Sequence, residues 1–415
     1  MRVLHVTPYF APAFCYGGPP RSILGLCRGL RQAGVEVSVL TTSANGDTEL
    51  SPEVTHAGFY AGIPVRYLPR SYPKLYFHAR GLVNVLEADI HEYDLVHLHG
   101  CWNFLCWEAA HICRAEHVPY IVSPRGMLER WSFEHTRVKK WLAYHLVEKR
   151  NLTSAATIHV TSDEERCTVE RLGLSRPIVV IPNGINYVEY TELPDRSCLR
   201  DRYGIRPEEC VILYLGRVHP QKGLEVLGAA FELMLKERPC ARLVVAGQSD
   251  PRYMVTLVQR FHHLLDSGHW IFTGQLEGKD RLAAFGASDI FALTSYSENF
   301  GLAVAEAMAA GLPVVLSREC PWPQVEQWQS GFWVQNDPVN IAEALLTLSA
   351  DEELRHRLGE NGRRGVFASL GWPRIAEKMR SAYEECLRVS TGSACSRRSG
   401  RSKGGQSNEP QFPSR

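Results

Sequence analysis

The sequence predicts an α/β protein of two doubly wound domains, each a parallel sheet covered by helices and facing the other across a cleft. Three observations carry that expectation. Short strand-like runs alternate with helical stretches over nearly the whole chain, the pattern of right-handed βαβ units. The strand runs are almost continuously apolar, as fits a sheet covered on both faces. The chain has 415 residues. Single cores stop growing beyond roughly 250–300 residues, so two sheets fit better than one of a dozen strands.

In chain order, strand-like runs fall at 3–7, 35–42, 95–100, 119–123, 156–162 and 178–184 in the first half. The second half has them at 211–217, 242–247, 270–274, 289–295, 312–317 and 332–334. Residues 20–34 show apolar positions at helical spacing and stop at Gly34. Pro, Gly and Asn interrupt the pattern near 182–195, which sets a first domain at 1–187 and a second at 188–371. Residues 390–415 are polar, Gly/Ser-rich and basic. They hold too little apolar area to offset ordering entropy, and disorder is expected there.

Composition narrows the function. Lys and Arg total 46 against 45 for Asp and Glu, a net charge of +1. That balance argues against a protein that grips a nucleic-acid backbone, which needs a concentrated positive field. No apolar run approaches the ~20 residues of a membrane-spanning helix, and the N-terminus lacks a secretory pattern. The 12 cysteines are scattered without a C-x-x-C pair. They read as small buried residues in a reducing compartment, so a cytoplasmic location is expected.

Two stretches carry chemistry. In 294–317 a strand ends near Thr294, Glu298 sits on a loop, and a helix starts around Gly301 and stops at Gly311. Ligands of doubly wound folds lie beyond the carboxyl ends of strands, and a helix start favours an anion. Glu306, about a turn inside that helix, and Glu298 would flank the anion. The alternative is two solvent-facing acids at a helix start. In 211–227 a strand runs into Gly216, and two cations, Arg217 and Lys222, precede a helix beginning near Gly223. A guanidinium fork and an ammonium there suit a diphosphate. Plain surface cations are the alternative, although Lys222 at a helix start conflicts with the dipole, and such local conflicts mark sites.

Together these stretches resemble the retaining, GT-B-type glycosyltransferases of family four, the group 1 glycosyltransferases. The residues concerned are Gly216, Arg217, Lys222, Gly223, Glu298, Phe300, Gly301 and Glu306. Segments 181–184 (IPNG), 98–100 (LHG) and 123–127 (SPRGM), with Gly17 and Gly18, complete the likeness, which spans about residues 1–388. It is strongest to members that build capsular, exopolysaccharide or lipopolysaccharide chains.

The resemblance implies two Rossmann-like domains, with a final helix at 372–389 crossing back to the first. It implies transfer of a hexosyl unit from a nucleotide-diphosphate sugar to a saccharide or lipid-linked acceptor, with retention at the anomeric carbon. Arg217 and Lys222 would hold the donor diphosphate as leaving group. Glu298 would bind hydroxyls of the transferred sugar, assisted by backbone amides from Asn299, Phe300, Gly301 and Leu302. Glu306 would accept from the ribose, and Gly17 and Gly18 would let the first loop approach the diphosphate. The base would rest near Thr273 to Leu276. Two positions depart from the family. Asn186 stands where many relatives have Asp, and Arg125 stands where relatives often have His near the reaction centre. Arg cannot act as a neutral base but can bind a phosphate, and His99 is the nearest other polar group for the sugar.

No D-x-D occurs in the chain, so no metal and no other cofactor is expected, Arg217 and Lys222 taking a bridging ion's place. Segment 131–150 sets Trp131, Val138, Trp141, Leu142 and Leu146 among Arg137, Lys139, Lys140, Lys149 and Arg150. It fits either peripheral contact with the cytoplasmic membrane face or a helix packed on the first sheet with a basic back. Rival functions are a sugar-nucleotide epimerase or phosphorylase on the same architecture, and a nucleotide-sugar-binding partner protein without catalysis. A nicotinamide dehydrogenase is disfavoured, because no G-x-G-x-x-G follows a strand.

Overall fold

The computed structural model of the protein describes residues 1–72, 74–129 and 141–399. The first sheet is formed by β1 (Arg2–Val6), β2 (Glu36–Thr42), β3 (Phe59–Tyr60), β4 (Ile63–Leu68), β5 (Leu95–His99), β6 (Tyr120–Ser123), β7 (Thr157–Val160) and β8 (Ile178–Val180). Its order is β8-β7-β6-β5-β1-β2-β4-β3, parallel throughout except for the short edge pair β3–β4. The second sheet comprises β9 (Cys210–Leu215), β10 (Ala241–Ala246), β11 (Trp270–Gly274), β12 (Ile290–Leu293), β13 (Val314–Ser317) and β14 (Gly331–Val334). All its pairs are parallel, in the order β11-β10-β9-β12-β13-β14.

Both sheets therefore wind outward from their first strand and then resume on its other side. The reversals fall between β1 and β5 and between β9 and β12. Crevices at such switch points, beyond the carboxyl ends of the strands, are where doubly wound folds bind ligands. The strands are apolar because helices cover both faces. In β9, Val211, Ile212, Leu213 and Tyr214 are all completely buried.

β4 is absent from the sequence expectation. Pro64 argues against a central strand, and here it pairs only with edge residue Phe59, while the parallel register with β2 begins at Val65.

The last helix differs from its expected end. It runs from Trp372 to Ser399, ten residues into the segment where disorder was expected, while 400–415 lie outside the described residues. Before it, the chain passes between domains twice side by side, with Ile185 bridged to Gly371. This helix packs against α1 (Gly18–Gln32) of the first domain. The Trp372 ring fills the space where a Cβ on Gly25 or Gly184 would sit. Tyr383, fully buried, reaches His97 of β5 at 2.7 Å.

Candidate active site

A cleft of about 550 Å³ opens between the carboxyl ends of the two sheets. On the second-domain side, β9 ends in Gly216 and Arg217, and a single 3-10 turn, Pro220–Lys222, follows. Gly223 caps the next helix, α2 (Leu224–Leu235), in the left-handed conformation at φ 61°. A Cβ there would overlap the Thr294 carbonyl, so only glycine lets the Lys222 turn close against the end of β12. Lys222 Nζ forms an ion pair with Glu298, both side chains largely buried. The two residues were expected to serve the diphosphate and the sugar separately, yet here they meet. Arg217 lines the cleft beside them, exposed.

Helix α3 (Leu302–Ala309) starts from Gly301, again left-handed at φ 72°. Its N-terminus faces that of α1: a Cβ on Gly18 would lie 3.9 Å from that of Leu302. Gly17, at φ 86°, turns the chain into α1, and its own Cβ position lies 3.9 Å from Arg217 Cδ. Two helix starts with positive dipole ends thus converge next to Arg217 and Lys222. That of α3 offers unpaired N–H groups, whereas Pro19 and Pro20 contribute none to that of α1. Asn299, Phe300, Gly301 and Leu302 all line the cleft.

Glu306 differs from expectation. It is 5% exposed and is not among the cleft-lining residues. Arg281 grips both carboxylate oxygens, a bidentate pair, and also lies 3.4 Å from the Tyr190 hydroxyl. Burial pulls the Arg281 guanidinium down and the Glu306 charge raises it, with a net upward shift. Arg281 lines the cleft in the place expected for a carboxylate. No spacing singled it out; its only signal was a cation on the helix after β11. Gln275 and Leu276, at the strand end expected near the base, line the cleft as well.

On the first-domain side, Arg125 lies in the cleft wall at φ 57°, unusual for a side chain other than glycine's. Its guanidinium donates to Ser22 Oγ (3.2 Å), Asn183 Oδ1 (2.8 Å) and His99 Nδ1 (3.1 Å). No carboxylate pairs with it among the described residues. His99 itself does not reach the cleft; it is 2% exposed and supports Arg125 from behind. Asn186 is exposed, donates to Glu189 at 2.7 Å and also lies off the cleft.

Donor and acceptor rules settle the histidines around Arg125. Arginine only donates, so His99 Nδ1 accepts and its Nε2–H donates to His5 Nδ1 at 2.9 Å. The Ile181 carbonyl only accepts, at 2.9 Å, so His159 Nε2 carries the proton and its Nδ1 receives one from His97, 3.4 Å away. Tyr383 then donates to His97. His5, His97 and His99 bring ring nitrogens within 4.8 Å of one another. The ring lone pairs of all three are already engaged, in two separate hydrogen-bond chains: Arg125 to His99 to His5, and Tyr383 to His97 to His159. Burial first, and Arg125 next, lower His5 to about 3, which keeps that imidazole neutral.

The chain matches two family models. Residues 195–365 fit the group 1 glycosyl transferases, and residues 17–184 fit the glycosyl transferase 4-like domain. The chain is a glycosyltransferase of the group 1 family, with the GT-B fold.

Among curated relatives, an uncharacterized glycosyltransferase of Methanocaldococcus jannaschii is 28% identical over 94% of this chain and 99% of its own. A D-inositol 3-phosphate glycosyltransferase of Corynebacterium diphtheriae is 27% identical over 92% of each. Among solved structures, Anabaena HepE in complex with UDP-glucose aligns at TM-score 0.75 and 19% identity, over 93% of this chain and 100% of its own. Sucrose-phosphate synthase of Thermosynechococcus elongatus aligns at 0.74 and 22%, over 94% and 100%.

Proposed function

We propose that the enzyme moves a hexosyl unit from a nucleotide-diphosphate sugar to a saccharide or lipid-linked acceptor, with retention, in cell-surface polysaccharide biosynthesis. One observation carries the donor assignment: Arg217, Lys222 and two opposed helix starts converge in one cleft. Such a cluster stabilises a leaving diphosphate without a bridging ion, by charge and by donors already aimed at it. HepE, solved with UDP-glucose, has the same fold, which supports a nucleotide-sugar donor.

In this mechanism Lys222 shifts toward the diphosphate as the donor binds, and Glu298, released from the pair, accepts from the sugar hydroxyls. The carboxylate also favours positive charge developing at the anomeric carbon. Glu306, held off the cleft by Arg281, serves the ribose once that pair opens as the donor binds, as Glu298 serves the sugar. Arg125 contacts a phosphate of donor or acceptor. Catalysis then rests on orientation and leaving-group stabilisation, with the acceptor attacking from the face the diphosphate leaves.

Among the described residues no helix is long and apolar enough to cross a membrane. Trp131, Arg137, Val138, Lys139 and Lys140 lie outside the described residues. In the following helix Trp141, Leu142 and Leu146 are exposed on the same side as Lys149 and Arg150, while Tyr144 and Glu148 face inward. This unpacked apolar face flanked by cations supports peripheral contact with an anionic membrane surface and a lipid-linked acceptor.

The test is product analysis by NMR in excess EDTA. The reading expects a product whose anomeric configuration matches the donor. An inverted product, or activity that returns only with Mg²⁺ or Mn²⁺, overturns it.

A further inference from the structure

The loop that carries Glu298 is held from the opposite domain. Ser297 Oγ donates to the Glu129 carboxyl group, and Asn299 Nδ2 donates to Thr161 Oγ1 at 2.9 Å. Both acceptors belong to the first domain, and both donors are the immediate neighbours of Glu298. Gly126 closes the contact, since a Cβ there would stand 2.7 Å from that of Asn299.

Hydrogen-bond direction fixes the Asn299 amide. Buried Glu165 accepts from Gly126 N (2.6 Å), Thr161 N (2.8 Å) and Thr161 Oγ1 (3.1 Å). The Thr161 hydroxyl proton is used there, so its oxygen accepts and Asn299 must present nitrogen to it. The Asn299 Oδ1 is then left buried without a partner, in a residue that lines the cleft. A buried acceptor without a donor is costly, and a substrate hydroxyl is the group that would satisfy it.

We propose that Thr161 and Glu129 are positioning residues for the donor sugar. They fix residues 297–299 so that Glu298 and Asn299 Oδ1 converge on its hydroxyls, Oδ1 accepting one of them. The proposal rests on the reading of Glu298 as a sugar-binding residue. It leaves the diphosphate and ribose contacts untouched, so its signature lies in kcat with nucleoside diphosphate affinity unchanged.

Thr161→Val, Thr161→Ser and Asn299→Ala are compared by steady-state transfer kinetics and by titration with free nucleoside diphosphate. Thr161→Val should lower kcat by roughly 3- to 10-fold, the worth of one neutral hydrogen bond, with Kd for the diphosphate within about twofold of wild type. Thr161→Ser should restore kcat, and Thr161→Val should add nothing to Asn299→Ala, because the two act through one bond. Normal turnover in Thr161→Val, failure of serine to rescue, or full additivity overturns the proposal. If the valine variant does not fold, Ser297→Ala decides: slower turnover at unchanged Kd is expected, and normal kcat overturns the proposal. Glu298→Gln runs in parallel. Normal kcat there removes the sugar-binding reading itself, while a slow Glu298→Gln beside a normal Thr161→Val removes only the positioning role.

Discussion

The two walls of the cleft hold their charges in different ways. On the second-domain wall two cations pair with carboxylates, Lys222 with Glu298 and Arg281 with Glu306, while Arg217 lines the cleft exposed. On the first-domain wall, Arg125 is held by a hydroxyl, an amide and a neutral imidazole, with burial first lowering its pKa to about 10. One wall stores most of its charges in pairs. The other holds Arg125 among neutral groups, without a carboxylate partner among the described residues. The difference predicts that second-domain substitutions act through broken pairs, while first-domain ones act through lost geometry.

The largest effect is expected at Lys222. Lys222→Ala should slow turnover by on the order of 10²–10³, as for loss of one electrostatic stabiliser, with the fold intact by circular dichroism. Near-normal turnover removes Lys222 from the site.

Glu306→Gln tests the paired wall through stability. Removing one partner of a buried ion pair typically costs about 3–5 kcal/mol, because the other charge is left uncompensated. Denaturant unfolding should show a loss of that order, together with weaker nucleoside diphosphate binding. Glu298→Gln breaks the other largely buried pair, so it should also lose stability, but it should keep nucleoside diphosphate affinity and lower kcat. Equal losses of diphosphate affinity in both variants contradict the assignment of the two carboxylates.

Arg125→Lys tests the unpaired wall. It keeps the charge but loses the fork that reaches Ser22, Asn183 and His99 together. An activity loss of roughly 10-fold is expected, the low end for a charged hydrogen bond. Wild-type kcat/KM in the lysine variant shows that charge alone suffices there.

How legible these walls were in sequence follows from how each is built. The second-domain wall comes from contiguous loops after β9 and β12, so Gly216, Arg217, Lys222, Glu298 and Gly301 fall within short segments with recognisable spacing. Arg281 escaped because it meets Glu306 only through packing of two helices. The first-domain wall is assembled from residues 22, 99, 125 and 183, brought together by β5, β6, α1 and the domain junction. Nothing local marks Ser22 as a partner of Arg125. His99 was legible as a polar strand end, but its place behind Arg125 depends on the burial of the whole histidine group. Pro64 sits at the start of β4, before the parallel register with β2 begins at Val65, a placement only the neighbouring strands define.

The smallest expected effect joins the two walls. Burial first, against the Ser297 hydrogen bond, raises Glu129 to about 7. The folded state then holds a proton that the unfolded chain releases near its ordinary carboxylate value, so this contribution to stability is lost as pH rises through about 7. Relative to Glu129→Gln, the wild type should gain melting temperature as pH falls from 8 to 5.5. A constant difference across that range shows that Glu129 titrates normally.

The most direct test of the account is a thermal-shift panel of UDP, GDP and ADP sugars in EDTA, run on the wild type and on Arg217→Ala and Lys222→Ala. The account predicts that one nucleotide class stabilises the wild type by about 2.7 kcal/mol at 100 times its Kd, without metal, and stabilises both variants less. No shift with any nucleotide sugar, a shift that requires metal, or equal shifts in all three proteins contradicts it.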